Sequence, residues 1–267
     1  MTFPFGPALL FCPADRPDRF AKALDRADGV ILDLEDAVAP ASRPTARDAL
    51  VENPLDPSRV IVRVNPAGSD DFAADLAAVT RAGYRTVMVA KADAGLPPLP
   101  GVDVIALCET ARGVLDAPAL AKREGVVALM WGAEDLIASL GGASSRDASG
   151  GYREVVRHAR AHVLLAAGAA GIAAIDAVHL AIADLDGLRA EAEDAVASGF
   201  AATACIHPTH AAVIRDAYRP SAAEVAQAAR VLEAAAAQGG VFRLEGLMVD
   251  GPVLRHAEAV IRRSQIV

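Results

Sequence analysis

Short apolar runs alternate with longer amphipathic, alanine-rich runs along most of the chain. The short runs predict strands over 8–13, 29–36, 59–66, 86–91, 103–110, 126–135, 173–180 and 202–208. They are mostly continuous (ALLFCP, TVMVAK, ATACIHP) rather than alternating, as in strands covered on both faces of a parallel sheet. Between them, helical periodicity predicts helices over 17–27, 43–53, 70–82, 111–123, 151–169, 184–198 and 209–217. The connection ADAGLPPLPG, between the fourth and fifth strands, is too short and too rich in proline for a full helix.

Eight strands in βα alternation predict an α/β chain folded as a (β/α)8 TIM barrel. The alternative is a doubly wound open sheet. That fold calls for a glycine-rich phosphate loop after its first strand, and FCPADRPDRF has none. No internal repeat is evident. The barrel is expected over residues 1–220 and a C-terminal helical extension over 221–267. In the extension, SAAEVAQAARVLEAAAAQG predicts a helix capped by Ser221 and stopped at Gly239 or Gly240. VFRLEGLMVDGPVLRHAEAVIRR then predicts a short strand or turn and a helix from Pro252. A barrel does not need this hairpin, so it is expected to cover its own subunit or a neighbour.

Composition narrows the function classes. Hydrophobic residues make up 53% of the 267 and charged residues 22%, enough apolar material for a large core, which excludes a disordered chain. Lys+Arg 26 against Asp+Glu 34 gives a net charge of -8, which argues against a protein that coats nucleic acid or a membrane surface. An anionic ligand remains possible, because the cations are nearly all arginine; the only lysines are Lys22, Lys91 and Lys122. Cys12, Cys108 and Cys205 sit in apolar runs with no CxxC spacing and read as buried hydrophobes in a reducing compartment. The N-terminus has no basic signal-like region, and no apolar window approaches the roughly 18 residues of a spanning helix. The expected location is cytoplasmic.

In such barrels chemistry comes from the C-terminal ends of the strands. Here those ends carry Asp33, Glu35 and Asp36, then Arg63 and Asn65, Lys91, Glu109 and Thr110, Glu134 and Asp135, Asp176 and His179, and His207. Glu109 and Asp135 are read as ending adjacent strands, whose axes lie about 4.8 Å apart. Two such carboxylates repel unless a cation separates them, and Mg²⁺ takes one or two carboxylates with waters and substrate oxygens. No His or Cys flanks them, which disfavours zinc. Arg63 ends the run Val60-Ile61-Val62 and is expected in the mouth, where its fork suits a carboxylate or a developing enolate. A salt bridge from Arg63 to Glu35 is compatible with that role. Lys91 stands where a Schiff-base lysine could, but the surrounding acids hold its pKa up and favour a charged neighbour. His207 reads equally as a substrate contact or as a capping residue. His158 and His162 read as a helix surface. The glycine-rich stretch 141–151 reads as a lid or as a plain linker.

Seven segments in one order carry a resemblance: LLFCPADRPDRFAKAL, VILDLEDAVAPASRPTAR, VRVNP, ALCETARGV, MWGAEDL, CIHP and EGLMVDGPVLRHAEAV. Together they resemble the citrate lyase β-subunit-like family of the HpcH/HpaI aldolase group, which includes malyl-CoA and citramalyl-CoA lyases. The likeness covers nearly the whole chain and is greatest to stand-alone members. It implies Glu109 and Asp135 as Mg²⁺ ligands and Arg63 as the contact to the substrate carbonyl or carboxylate. It implies that the backbone of Gly132, Ala133 and Glu134 lines the acid pocket and that Glu35 and Asp36 support metal-bound water. Asp250, in MVDGP, matches an acid that reaches a neighbouring subunit's site, which implies an extension packed on a neighbour in a homotrimer or hexamer. Three positions depart from the family pattern: Pro7-Ala8 for a usual Arg-Ser pair, Asp93 for a Glu and Arg43 for a Lys. The first touches the CoA contacts.

The resemblance implies a Mg²⁺-dependent carbon–carbon lyase. It would cleave a malyl-CoA or citramalyl-CoA type thioester through a metal-stabilised enolate, giving acetyl-CoA or another acyl-CoA and a keto acid. Two alternatives stand beside it. One is thioesterase or malate-synthase-like activity at the same site. The other is the β subunit of a multi-subunit citrate lyase acting on an acyl-carrier-protein thioester.

Overall fold

A computed structural model describes residues 3–238 and 240–265. Eight parallel strands close into a barrel in chain order. They are β1 (Ala8–Pro13), β2 (Gly29–Asp33), β3 (Val60–Val64), β4 (Thr86–Val89), β5 (Asp103–Cys108), β6 (Val126–Trp131), β7 (Ala173–Asp176) and β8 (Ala202–Cys205). Pairing of β1 with β8, Leu9 beside Ala204, closes the ring. Around it run α1 (Phe20–Arg26), α2 (Arg43–Glu52), α3 (Phe72–Arg81), α4 (Ala111–Leu120), α5 (Ala133–Ser139), α6 (Glu154–Ala170), α7 (Leu185–Ser198) and α8 (Pro208–Tyr218). The proline-rich segment between β4 and β5 forms no helix, as its sequence predicts.

The expected strands are all present, but most end earlier than their apolar runs. The difference that bears on the site is at 126–135. β6 stops at Trp131, and Asp135 lies in the first turn of α5 rather than at a strand end. Gly132 is the N-cap, and Glu134 and Asp135 suit the positive end of a helix dipole.

The barrel interior is built from alternate residues of each strand. Leu9, Ile31, Ile61, Met88, Ile105 and Ala128 belong to one buried cluster with Leu107, Met130, Ile175, Ala202 and Ala204. Their neighbours along each strand, such as Val30, Val62 and Leu129, are equally buried, under the helices. Both faces are therefore apolar, which is why the runs are continuous.

The chain divides into two compact units, one up to Ile214 and one from Arg215. The boundary falls inside α8, a few residues before the expected one. The second unit contains α9 (Ala222–Gln238), β9 (Phe242–Leu244), β10 (Leu247–Val249) and α10 (Gly251–Ser264). Ser221 caps α9 reciprocally: Glu224 N donates to Ser221 Oγ at 3.2 Å and Ser221 N donates to Glu224 Oε2 at 2.7 Å. Gly239, one expected stop for that helix, lies outside the described residues. The expected strand or turn is a hairpin. Glu245 and Gly246, at φ 50° and 87°, form its two-residue turn. Ala228, Val231, Val249, Ala257 and Val260 form this unit's own core.

One buried network holds the loop after β3 in place. Asp75 of α3 is fully buried and accepts from Asn65 N at 2.9 Å, Asn65 Nδ2 at 2.8 Å and Arg47 Nε at 2.7 Å. Removing the cation leaves a buried carboxylate undercompensated. Arg47→Ala is expected to destabilise the chain by about 3 kcal/mol. Adding Asp75→Asn should cost less than the sum of the two single changes, measured by urea unfolding.

Candidate active site

The inward alternation does not stop with the apolar core. One inward step beyond it lie Asp33 after Ile31, Arg63 after Ile61 and Glu109 after Leu107, with Gly132 after Met130 and Ala177 after Ile175. These residues line a cavity of about 340 Å³ at the C-terminal mouth of the barrel. The barrel therefore places a polar layer directly on its apolar layers.

Arg63 is buried and its fork is closed on Asp33, with Nε to Oδ1 at 2.7 Å and Nη2 to Oδ2 at 2.6 Å. In-register pairing of β2 and β3 sets these two residues side by side. Asp33 also accepts from the backbone N–H of Glu35 at 3.0 Å and Ala37 at 3.1 Å, so it pins the turn after β2. The remaining Nη1 of Arg63 lies 3.2 Å from Glu35 Oε2. Both readings of Arg63 thus meet: it sits in the mouth and it pairs with Glu35. Its bidentate edge is occupied by Asp33, which leaves the Nη1 side for a ligand.

Lys91 joins the acids. It follows β4 at φ 50°, a left-handed conformation uncommon for a side chain of this size. Its ammonium donates to Glu35 and lies 3.4 Å from Asp36, 3.4 Å from Asp135 and 3.9 Å from Glu109. Its backbone N–H donates to Glu109 Oε1 at 3.1 Å. Burial works against the ammonium, but the Glu35 bond and the charges of Glu109, Glu35 and Asp135 outweigh it and raise the Lys91 pKa. A held ammonium is a poor nucleophile, which removes the Schiff-base role.

The acids respond differently. Burial, and then the Asp135 charge, push the Glu109 carboxyl up to about 8. Burial likewise raises Glu35. Asp36 is held below the usual carboxylate range because Lys91 and Glu35 outweigh its partial burial. Gly132 is required here: a Cβ would come 2.9 Å from Glu109 Cβ and 3.0 Å from Glu109 Oε2. Ala133 and Glu134 continue the lining, and Ser145 Oγ donates to Glu134 Oε1 at 2.5 Å.

Glu109 and Asp135 fit a hard divalent cation. Both are oxygen donors, and both face the one ammonium that now separates them. Among the described residues no group of three or more His, Cys, Asp or Glu is arranged to hold a metal. Water and ligand oxygens would have to complete the shell, as Mg²⁺ commonly accepts.

Eight of the nine expected site residues therefore gather at this mouth: Glu35, Asp36, Arg63, Glu109, Gly132, Ala133, Glu134 and Asp135. Asp250 belongs to the second unit, where its Oδ1 accepts from Val253 N at 3.3 Å and caps α10. His207 bonds Thr209 Oγ1 at 2.7 Å at the start of α8, the capping alternative. The sequence reading named Asp33 but gave it no role. The continuous run GVILD hides its direction, and the register with Arg63 reveals it. In the stretch 141–151, Arg146 forms an isolated antiparallel bridge to Tyr152, just beyond it.

A family model described as HpcH/HpaI aldolase/citrate lyase matches residues 8–95 and 100–208. The chain belongs to this family. A citrate lyase subunit beta-like protein of Mycobacterium tuberculosis is 56% identical over 261 residues, covering 97% of this chain and 96% of the relative. A (3S)-malyl-CoA thioesterase of Cereibacter sphaeroides is 32% identical, covering 97% and 93%. The structure is similar to that of CitE from Mycobacterium tuberculosis in complex with magnesium, acetoacetate and coenzyme A. The TM-score is 0.90 and the identity 55%, over 97% of this chain and 98% of that one. An eight-stranded parallel barrel with its polar layer at the strand ends is thus the frame of this family member.

The raised Glu109 pKa makes a stability prediction for metal-free protein. Glu109 ordinarily ionises near 4.5, and burial here moves it to about 8. Between those values the folded chain keeps a proton that the unfolded chain has released. Stability should therefore fall by about 1.4 kcal/mol per pH unit as the pH rises through that window. Glu109→Gln removes the slope. In EDTA it should melt above the wild type at pH 8, with the gap closing toward pH 5. A gap independent of pH would show that Glu109 ionises normally.

Proposed function

We propose that the protein is a Mg²⁺-dependent carbon–carbon lyase. It cleaves a 3-hydroxyacyl-CoA of the malyl-CoA or citramalyl-CoA type to an acyl-CoA and a keto acid. The observation that carries this reading is the Glu109–Asp135 pair beside Lys91 and Arg63 at one barrel mouth. It is supported by the likeness to a protein crystallised with magnesium, acetoacetate and coenzyme A.

In the reaction the bond between the α and β carbons of the thioester breaks. Its electron pair passes to the α carbon and the thioester carbonyl, the β hydroxyl gives its proton to a base or water of the site and becomes the keto group, and the α carbon gains one proton, so the proton count is unchanged. Glu109 and Asp135 would hold Mg²⁺, which would supply Lewis acidity toward the keto acid portion. Arg63 directs Nη1 toward the charge developing on the substrate, and Asp33 keeps it from turning away. Gly132, Ala133 and Glu134 shape the pocket for the acid portion. Glu35 and Asp36, tied to Lys91, orient water in the cation's shell. Asp250 handles the proton on the α carbon, contributing about 10²–10⁴-fold as general acids do. By this reading it is delivered from a neighbouring subunit of a homotrimer or hexamer. The proposed location is the cytoplasm; among the described residues no helix is long and apolar enough to cross a membrane.

Thioester hydrolysis is the second reading, favoured by the Cereibacter sphaeroides relative named a thioesterase. A malate-synthase-like condensation, and the role of a citrate lyase β subunit on a carrier-protein thioester, are the others. A panel of 3-hydroxyacyl-CoA esters, with and without EDTA, separates them. The lyase releases keto acid in proportion to acyl-CoA and stops in EDTA. Free CoA without keto acid means hydrolysis. Inertness toward every CoA ester, with turnover of a carrier-protein thioester, means the subunit role.

Two sets of variants test the residues. Glu109→Gln and Asp135→Asn should abolish turnover and sharply weaken Mg²⁺ binding by calorimetry without unfolding the barrel; unchanged affinity removes that residue from the cation. Arg63→Lys should lose about 10²-fold or more, because a point charge cannot hold Asp33 at two points and still face the ligand. Arg63→Ala and Asp250→Ala, each inactive alone, should regain activity when co-refolded, since some mixed sites carry both residues. Failure to complement in proven mixed oligomers places both in one subunit.

A further inference from the structure

Two loops bear on the cavity, one by lining it and one by bracing a residue that lines it. The first runs over 140–153 and reaches the cavity through Ser145, which donates to Glu134 at 2.5 Å. The second runs over 177–184 and lines the cavity with Ala177, Val178 and Leu180. One residue outside the barrel holds both. Glu191, on α7, accepts from Arg146 of the first loop, Nη1 to Oε1 at 2.6 Å. Its other oxygen, Oε2, lies 2.9 Å from Nδ1 of His179 in the second loop. His179 is buried between two lining residues, and its Nε2 lies 3.3 Å from Asp184, the N-cap of the same helix. Arg146 in turn rests 4.0 Å from the Tyr152 ring centroid, and Tyr152 meets the cavity residue Trp131 edge-on at 5.5 Å.

We propose that Glu191 is a positioning residue for the active site, a clamp that couples the loop holding Glu134 to the loop presenting Val178 and Leu180. Each carboxylate oxygen serves one loop, so the two loops are set at one spacing. Arg146 and His179 are on different connections, and without Glu191 each loop would be held only from its own side. Charge-assisted bonds of this kind are short and directional, which suits fixing a distance rather than reacting with a ligand. The clamp shapes what the pocket accepts, and only in naming that ligand as a keto acid does it rest on the lyase reading.

The test is hydrogen–deuterium exchange of the full-length protein, read on the amides of both loops, with pyruvate affinity measured at saturating Mg²⁺. Glu191→Ala should speed exchange in both loops by about tenfold and weaken pyruvate by a similar factor. Mg²⁺ affinity without pyruvate should not change, since Glu109 and Asp135 are untouched. Glu191→Gln, which can still accept from Arg146 and donate to His179, should restore most of both. Glu193→Ala, removing an exposed carboxylate from the same helix, should behave as wild type. Arg146→Met should loosen the first loop and leave the second. Faster exchange in one loop only after Glu191→Ala, or in neither, overturns the clamp, as does Mg²⁺ affinity falling in step with pyruvate. If the wild type fails to bind pyruvate while both loops loosen together, the clamp stands and the lyase reading falls.

Discussion

Six carboxylates and two cations meet at the mouth of this barrel, and the cations are too few. Asp33, Glu35 and Glu109 are buried, and a buried charge is tolerated only when it is paired. Arg63 satisfies Asp33 at both oxygens and reaches Glu35. Lys91 is left to answer Glu35, Asp36, Asp135 and Glu109 together. Burial, and then the Asp135 charge, outweigh Arg63 and Lys91 and push the Glu109 carboxyl up to about 8. A packed barrel can hold such an imbalance because its apolar layers below the site are fixed independently. A divalent cation between Glu109 and Asp135 is the charge this arrangement lacks.

The same constraint explains what could be read from the chain. The barrel was legible because each strand is apolar on both faces and each is followed by a turn or helix signal. That same feature hid the side chains' directions: a continuous run carries no parity. Arg63 and Glu109 were found because a charge at the end of an apolar strand has few other uses. Asp33, the anchor of Arg63, passed as one acid among three in DLED. Only the register that places Asp33 beside Arg63 distinguishes it from Asp36.

Where the reading erred, the competing signal was local. MWGAED runs on from an apolar strand, so Asp135 was placed at a strand end. Gly132 breaks the run, and two acids after it favour a helix start. Glu109 still meets Asp135, because a helix that begins directly at the strand end stays at the mouth. The Glu191 contacts were invisible for another reason. They join α7 to two connections at 45 and 12 residues' separation, neither of which has a periodic pattern.

Charge at the mouth does not choose between cleaving a carbon–carbon bond and hydrolysing a thioester. Both outcomes place a negative charge on the thioester carbonyl oxygen, and both are helped by a cation and by Arg63. They differ in what is delivered next: a proton to the α carbon or water to the carbonyl carbon. The cavity walls away from the acids are apolar, built from Phe11, Leu107, Met130, Val178, Leu180 and Ile206. Apolar walls orient no water, so the water available to this site is the water its acids can hold. Glu35 and Asp36, tied to Lys91, are the acids placed to orient it. Hydrolysis needs a base that aims a water at the thioester carbon, whereas bond cleavage needs a base for the β hydroxyl and a proton donor near the departing carbon. The two outcomes therefore part at the base: one activates a water, the other the substrate's own hydroxyl.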